Sequence, residues 1–407
     1  MRVRSVSFAF CFILAFCFIL AGCASTDPTP TCDGAAAYEG PPRRDAPAAV
    51  WDRDFARSID APLPSAIASP LNATLDSLLA YYPAVSAAVA LPGLGTWSAT
   101  RGVADTRVEA GLPDRPLFQV ASIGKAFTGA VVLQLVEEGR LDLGAPVARW
   151  FPDVPNAEHI TVGMLLDHTS GLVSFNALPD GRALGLAHRT PEELVGIASE
   201  YDPLFCPGAA WSYTNTGYAM LGRIVEAADG RPFADAVAAR VTGPLGLANT
   251  VMRRPGVPLP DVVTGHVGGA PVTDSVDYAT PYAAGALAST AGDLVRFWHA
   301  LLAGDLLPTE TVRASFSGMY PMQPLFPAPP GTEMFYGRAV QLTDAPGGDD
   351  GPGLMLEHSG GITGFNAVVA YLVEDDAYVA VAVNDQDVAA QAGLWTLVRA
   401  LRAARAG

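Results

Sequence analysis

Residues 120–128 of this chain of 407 residues read VASIGKAFT, and they contain a Ser-x-x-Lys pattern formed by Ser122 and Lys125. Lys125 is the only lysine in the sequence, whereas the other 24 of the 25 basic residues are arginine. An arginine keeps its proton in a protein, but a desolvated lysine can lose its proton and act as a base. The pattern therefore indicates proton transfer at Lys125.

An apolar run directly after this pattern predicts a helix. Residues 126–136 read AFTGAVVLQLV, and an acidic pair and Gly139 follow, which favours a helix end there. Ser122 would start the helix, and Lys125 would lie one turn along on the same face. A helix start is also where an ordinary N-cap serine is found. Taken alone, the pattern is therefore a weak indicator of catalysis.

The composition limits the classes of partner. Half of the residues are hydrophobic and 16% are charged, which is enough for one large domain or two of ordinary size. The formal net charge is −16, and the basic residues form no cluster beyond the pairs at 43–44 and 253–254. This argues against nucleic acid as a partner. No Cys/His spacing resembles a zinc site, and we expect neither a metal nor a cofactor.

The N-terminus has the pattern of an export signal. Two arginines precede a largely apolar segment, residues 6–20, which is short for a membrane span. The segment ends in Leu-Ala-Gly before Cys23, which resembles the lipobox of bacterial lipoproteins. We expect a signal peptide over residues 1–22, a lipid on Cys23, and a location at the cell envelope, facing the periplasm or the exterior. An ordinary signal peptide or an uncleaved anchor is the alternative.

The segment after the signal is rich in Pro, Ala, Asp and Thr. Residues 23–60 are therefore predicted to form a lipidated tether between the membrane and a globular body. Cys32 lies in this segment, and Cys206 is the other cysteine that remains once the signal peptide is removed and Cys23 is lipidated. The two could form a disulfide in an oxidising compartment, but the position of Cys32 in a flexible segment leaves that pairing open.

Hydrophobic periodicity predicts an α/β (α+β) fold. Strand-like runs occur at both ends of the chain, and a helix closes it: strands 85–91, 97–103, 354–358, 366–373 and 378–384, helix 389–405. Apolar helical stretches dominate the middle, at 160–166, 191–199, 217–228 and 233–241. This order predicts an antiparallel sheet flanked by helices, formed by residues 61–150 and 282–407, with a mostly helical insertion domain over 151–281.

Two further motifs carry polar groups of catalytic type. Tyr213 and Asn215 lie in a loop ahead of a helix, and the run His358-Ser359-Gly360 ends a strand. In this order the motifs resemble those of the β-lactamase-related serine hydrolases. This family includes class C β-lactamases, serine D-Ala-D-Ala carboxypeptidases and esterases of the same fold. It carries Ser-x-x-Lys, Tyr-x-Asn, and Lys-Thr-Gly or His-x-Gly. The resemblance extends from about residue 65 to about residue 400.

The resemblance implies acyl transfer through an acyl-enzyme. Ser122 would attack the substrate, and Lys125 and Tyr213 would handle its proton, with the choice of general base between them left open. Asn215 would orient Lys125 and the substrate. A tyrosine of ordinary pKa is a poor base at neutral pH unless a nearby positive charge assists it, and Lys125 would supply that charge or accept the proton itself.

The same resemblance assigns the strand end to substrate binding. His358, Ser359 and Gly360 would contact the substrate, and the backbone N–H groups of Ser122 and Gly361 would form the oxyanion hole. A second histidine in the chain, in the run Asp-His-Thr-Ser-Gly-Leu at 167–172, is expected to be structural and satisfied by turn backbone.

One departure from the family's lactamases affects the expected substrate. They usually have Lys-Thr-Gly where this chain has His358-Ser359-Gly360, and a histidine is mostly neutral at pH 7. We therefore expect a carboxypeptidase or esterase, acting on an ester, amide or D-amino-acid peptide, rather than an efficient β-lactamase. Its substrate would be a small molecule or derive from peptidoglycan. The alternative is a non-catalytic, lipid-anchored penicillin-binding-type or scaffolding protein, which the intact set of motifs disfavours.

Overall fold

One large antiparallel sheet organises the fold. The computed structural model describes residues 32–108, 111–178, 187–272, 276–324, 328–349 and 351–406. The strands of the sheet are β1 (Ala84–Leu91), β2 (Gly95–Gly102), β8 (Tyr320–Met322), β9 (Glu333–Tyr336), β10 (Gln341–Asp344), β11 (Leu354–Ile362), β12 (Phe365–Leu372) and β13 (Ala377–Val383). Their order in space is β2-β1-β13-β12-β11-β10-β9-β8, and every neighbouring pair is antiparallel.

Helices cover both faces of this sheet. The outer face packs against α1 (Ser65–Leu78) and α9 (Ala390–Ala406), and the inner face packs against α7 (Ala291–Ala303). The central strands consist of small and β-branched apolar residues and are buried throughout, as expected for strands covered on both sides. Side chains alternate along a strand, so Val381 packs against α9 while Ala382 faces the inner core.

The remaining helices form the inner side of the molecule. They are α2 (Gly124–Glu137), α3 (Val162–Leu166), α4 (Pro191–Ser199), α5 (Asn215–Asp229), α6 (Phe233–Val237) and α8 (Thr309–Ser315). Nearly every residue of α2 is buried, and Phe127 stacks on Phe297 of α7 with ring centroids 3.7 Å apart. The helix ends follow ordinary capping rules. Thr190 forms a capping box with Glu193 ahead of α4, and Gly230 ends α5 in a left-handed conformation.

Short strands complete the fold. They are β3 (Phe118–Gln119), β4 (Val251–Met252), β5 (His266–Val267), β6 (Ala270–Pro271) and β7 (Leu287–Ser289). β7 pairs with both β3 and β4, and this small sheet leads directly into residues 120–128. The antiparallel sheet built from both ends of the chain is therefore confirmed, and α3 to α6 lie in the predicted insertion. Because β4 lies between residues 151 and 281 but pairs outside that range, the division into two domains stays a prediction.

The segment predicted to be a tether is part of the fold where the structure describes it. Cys32 forms a disulfide with Cys206, and Arg44 and Met319 exchange two backbone hydrogen bonds of 2.9 and 2.8 Å. Further along, Val50 is buried in the main core. The prediction of a free tether is thus wrong for residues 32–60, because this stretch carries enough apolar side chains to pack on the body. The predicted signal peptide and Cys23 lie outside the described residues.

Among the described helices, none has the length and hydrophobicity needed to cross a membrane.

Candidate active site

A tight turn presents Ser122 at the wall of a cavity. The turn spans Ala121–Ile123 between β3 and α2, and Ala121 has a φ of +47°, a region that non-glycine residues rarely adopt. The N–H of Val120 donates to the carbonyl of Leu287 at 2.9 Å and fixes the turn to β7. Because its two neighbours are buried, Ser122 is the residue of the turn that lines the cavity.

The amine of Lys125 lies behind Ser122 and is fully buried. Its Nζ donates to the hydroxyl oxygen of Ser122 at 3.0 Å and to the carbonyl oxygen of Ala284 at 2.5 Å. Burial lowers the pKa of Lys125 well below its usual value, because desolvation penalises the charged form. The neutral amine, which is the form that can accept a proton from Ser122, is therefore accessible.

Tyr213 approaches Ser122 from the helical side. Both residues line the cavity, and the ring centroid of Tyr213 is 5.0 Å from Nζ of Lys125. Burial raises the pKa of Tyr213, and the nearby side chain of Ser122 opposes this only in part. The phenol is thus protonated at rest, which favours Lys125 as the group that first accepts the proton and Tyr213 as the group that passes it on.

Asn215 begins α5 and belongs to a polar cluster at the rim of the cavity. Its side-chain N–H donates to Oδ1 of Asn176 at 2.7 Å, and its backbone N–H donates to Oγ of Ser174 at 2.8 Å. All three residues line the cavity, which is consistent with the expected contact between Asn215 and substrate. Among the described residues, the amine of Lys125 donates to Ser122 and Ala284, so the expected role of Asn215 in orienting Lys125 stays a prediction.

The end of β11 forms the wall opposite Tyr213. A Cβ atom at Gly360 would lie 2.1 Å from the carbonyl oxygen of Val120, so only glycine lets the strand lie against the turn that carries Ser122. Ser359, Gly360 and Gly361 line the cavity as expected. The oxyanion hole formed by the N–H groups of Ser122 and Gly361 stays a prediction, and both residues lie at the cavity wall that it requires.

His358 does not reach the cavity, which corrects its predicted role in substrate binding. Alternation along β11 places Ser359 toward the cavity and His358 on the opposite face, where it is fully buried. Nδ1 of His358 donates to the carbonyl of Ser359 at 2.8 Å, so Nε2 accepts from the hydroxyl of Tyr336 at 3.2 Å. Burial, together with the charge of Lys125, lowers the pKa of His358 to about 3, so the ring is neutral.

His168 supports the loop of Tyr213 from behind, in the structural role expected for it. Its Nδ1 accepts a hydrogen bond from the N–H of Thr214 at 3.2 Å, and its ring lies 4.3 Å from that of Tyr213. Burial first, and the charge of Lys125 second, lower its pKa well below the usual value. His168 is therefore a neutral packing partner.

The cavity extends well beyond Ser122. It has a volume of about 550 Å³ and runs from Ser122 and Tyr213 across the edge of β11 toward α9. Its far end is lined by residues that the sequence motifs did not indicate: Thr343, Met355, Val368, Gln386, Asp387, Leu394 and Trp395. Most of these are apolar or uncharged. In the sequence they belong to the apolar pattern of strands and a helix. That pattern is the same for residues of a core and for residues that line a cavity, so it could not identify them.

The arrangement of turn, amine and phenol defines the class of protein. A serine hydroxyl held by a buried amine and a tyrosine at the mouth of a cavity is an arrangement suited to acyl transfer. The family model described as Beta-lactamase matches residues 71–403. The chain therefore belongs to the beta-lactamase family.

Individual relatives extend this result. The chain is 34% identical to penicillin-binding protein 4 of Amycolatopsis lactamdurans over 48% of its length, and 36% identical to the esterase EstB of Burkholderia gladioli over 47%. These matches cover 53% and 52% of the two relatives, about half of their length. The crystal structure of D-amino acid amidase from Ochrobactrum anthropi SV3 is similar with a TM-score of 0.72 and 25% identity, over 83% of this chain and 98% of that one.

Proposed function

We propose that this protein is a serine hydrolase that cleaves esters or amides through an acyl-enzyme on Ser122. The observation that carries the proposal is the position of the Ser122 hydroxyl, 3.0 Å from the amine of Lys125 and beside Tyr213 at the cavity wall. This geometry supplies a nucleophile, a proton acceptor and a second proton carrier within contact distance of one another.

Proton transfer follows from the two pKa shifts. As the oxygen of Ser122 bonds to the substrate carbonyl carbon, its proton passes to the neutral amine of Lys125. The resulting oxyanion accepts hydrogen bonds from the N–H groups of Ser122 and Gly361. The bond to the leaving oxygen or nitrogen then breaks, and Tyr213 delivers a proton to that atom while Lys125 replaces it. Water then enters and releases the acid by the same transfers in reverse order.

The relatives support esters and amides as the substrate class. Among the proteins similar to this chain, one is named an esterase and another a D-amino acid amidase. Both reactions break a bond between an acyl carbon and a leaving oxygen or nitrogen, so the same nucleophile and proton carriers can catalyse either one. Because one relative is named a penicillin-binding protein, a D-amino-acid peptide derived from peptidoglycan is the amide against which these substrates have to be tested.

A side-by-side rate comparison tests the proposal. Hydrolysis of p-nitrophenyl acetate, D-phenylalanine amide, a D-Ala-D-Ala peptide and nitrocefin should be followed with the wild type and with Ser122→Ala. We expect the ester or the amide to be hydrolysed and the Ser122→Ala variant to retain only the background rate. Equal rates for the two proteins on every substrate would contradict the proposal and favour a binding or scaffolding role.

We also propose that the protein is a lipoprotein of the cell envelope, anchored through Cys23 after removal of residues 1–22. The lipobox-like sequence supports this, and so does the disulfide between Cys32 and Cys206, since disulfides persist in oxidising compartments. Mass spectrometry of the mature N-terminus should find a diacylglyceryl group on Cys23 and none in a Cys23→Ser variant. An unmodified mature N-terminus in the wild type would contradict the anchor.

A further inference from the structure

The charges around the cavity are unusual for a site that would hold an anionic substrate. Among the described residues that line it, Asp387 is the one that carries a formal charge, and it is negative. Asp387 is exposed at the mouth, beside Gln386, and it accepts a hydrogen bond from the N–H of Gly268 at 2.5 Å. A substrate that enters from this side therefore meets an acid first.

A second acid lies behind the floor of the cavity. Glu357 is fully buried on β11 between Met355 and Ser359, and strand alternation places all three side chains on the same face. Thr343, which lines the cavity, donates its hydroxyl proton to one oxygen of Glu357, and the other oxygen has no hydrogen-bond partner among the residues that the structure describes. Burial raises the pKa of Glu357 to about 7, so this group is either neutral or negative and never a counter-ion for an anion.

The cationic and titratable groups near Ser122 do not offset the negative charge of these acids. Lys125 is enclosed behind Ser122 and uses its hydrogen bonds on Ser122 and Ala284 rather than on the cavity. His358, at the position where related lactamases have a lysine, faces away from the cavity, and burial keeps its ring neutral. A carboxylate bound next to the scissile bond would thus lose its water without gaining a charged partner.

The rest of the wall is apolar and suits an uncharged group. Met355 and Val368 of the sheet face Leu394 and Trp395 of α9 across the far end of the cavity. Buried apolar walls of this kind bind alkyl and aryl groups through the area that they remove from water. The polar groups near Ser122 are neutral amides and hydroxyls, such as those of Asn176 and Asn215.

We propose, on the basis of the hydrolase function inferred above, that this cavity selects acyl donors that carry no carboxylate. Its substrates are uncharged or cationic esters and amides with a bulky apolar group. It discriminates against the carboxylates of β-lactams and D-alanyl peptides, because Asp387 repels them at the mouth, Glu357 offers no positive charge behind the floor, and no described cavity residue neutralises them. Asp387 and Glu357 act on specificity and take no part in bond making.

Three esters that differ only in charge test this selectivity. They are the anion 3-acetoxybenzoate, the neutral methyl 3-acetoxybenzoate and the cation 3-acetoxy-N,N,N-trimethylanilinium. Each kcat/KM is divided by the rate constant for hydroxide-catalysed hydrolysis of the same ester, which corrects for its intrinsic reactivity. We expect the anion to react at least about 100-fold less well than the methyl ester, since like charges at a binding site cost several kcal/mol. The cation should react within about 10-fold of the methyl ester or faster.

A charge reversal at Asp387 tests whether this residue causes the selectivity. Asp387→Lys should raise the ratio of kcat/KM for the anion to that for the methyl ester by about 10-fold. Asp52→Lys makes the same change in net charge at an exposed residue outside the cavity, and it should leave that ratio within about twofold.

The outcomes separate the two proposals. Hydrolysis of the anion as fast as the methyl ester by the wild type overturns the selectivity while leaving the hydrolase function in place, whether or not the variants fold. Equal changes in Asp387→Lys and Asp52→Lys overturn the assignment to Asp387. If none of the three esters is hydrolysed above the Ser122→Ala background, the hydrolase function itself is overturned, and the selectivity with it.

Discussion

The amine of Lys125 lies 3.0 Å from the hydroxyl oxygen of Ser122 and is fully buried behind it. Its second hydrogen bond, to the carbonyl of Ala284, holds it in this position. The chain uses arginine at each of its other 24 basic positions. This geometry explains the exception, because an arginine at this position would remain charged and could not accept the serine proton.

Replacing that lysine tests the proton transfer. Lys125→Arg should lower kcat/KM for methyl 3-acetoxybenzoate by at least about 1000-fold, because the guanidinium stays protonated and cannot accept the proton of Ser122. Stopped-flow measurement of acylation checks the rate, and circular dichroism checks the fold. Arg53→Lys, at an exposed site, is the control for the exchange itself. A folded Lys125→Arg variant that acylates at the wild-type rate would show that Lys125 is not the base.

Alanine substitutions at Gly360 and Gly361 distinguish a steric requirement for glycine from a general effect of reduced backbone flexibility. Gly360→Ala should lower the acylation rate by at least about 100-fold, because its Cβ atom would lie 2.1 Å from the carbonyl of Val120 and displace the turn of Ser122. At Gly361 the nearest atom is Oδ1 of Asn366, at 3.2 Å, so Gly361→Ala should be affected much less. Steady-state kinetics on the two variants gives the comparison. Equal losses in both, or none in Gly360→Ala, would contradict the close approach.

The rate of acylation should depend on pH through the amine. Burial lowers the pKa of Lys125, so the reactive neutral form increases with pH and is already abundant below the ordinary lysine value of 10.5. We therefore expect kcat/KM to rise with pH through this lowered pKa and then to level off. The neutral rings of His168 and His358 should add no further step near neutral pH. A pH profile from about 5 to about 10 checks this, and a rise centred near 10.5 would contradict it.

The lowered pKa of Lys125 also makes the free energy of unfolding depend on pH. Between the lowered pKa and 10.5 the unfolded chain binds a proton at Lys125 that the folded chain does not bind. The free energy of unfolding should therefore increase with pH across that interval. Urea unfolding of the wild type and of Lys125→Met at several pH values isolates this contribution, since the variant has no amine to titrate.

The disulfide should make a measurable contribution to stability. Cys32 and Cys206 are 174 residues apart in sequence, and their bond restricts the unfolded chain. The double variant Cys32→Ser and Cys206→Ser should therefore lose about 2–5 kcal/mol of unfolding free energy. Urea denaturation with and without a reductant measures the loss, and the variant should be insensitive to the reductant. An unchanged midpoint would indicate that residues 32–60 are held by their packing alone.

The sequence was most informative where local pattern and long-range packing agree. The strand-like run at 378–384 became β13, and the Ser122 turn runs into α2 with Lys125 one turn from the serine, because an uninterrupted apolar run has few alternatives once it is buried. The order of the motifs was sufficient to predict that Ser122, Lys125 and Tyr213 come together. Sequence spacing alone gives no distances, but the resemblance supplied the arrangement.

Side-chain direction and pairing were harder to predict. A shift of one residue along β11 decides whether a side chain faces the cavity or the core, and His358 lies on the core side. The amide of Asn215 bonds to Asn176, a residue from a different loop with no motif of its own. Strands β8, β9 and β10 are short and mixed in composition, so their pairing depends on neighbours that are distant in sequence.

Direct detection of an acyl group on Ser122 tests whether the protein works through an acyl-enzyme. The protein should be quenched in acid within the first turnover of p-nitrophenyl acetate and then digested and mapped by mass spectrometry, with Ser122→Ala treated in parallel. We expect an acetyl group on the peptide that contains Ser122 and none on the corresponding peptide of the variant. Turnover of the ester with no acetyl group on Ser122, or with the group on another residue, would contradict it.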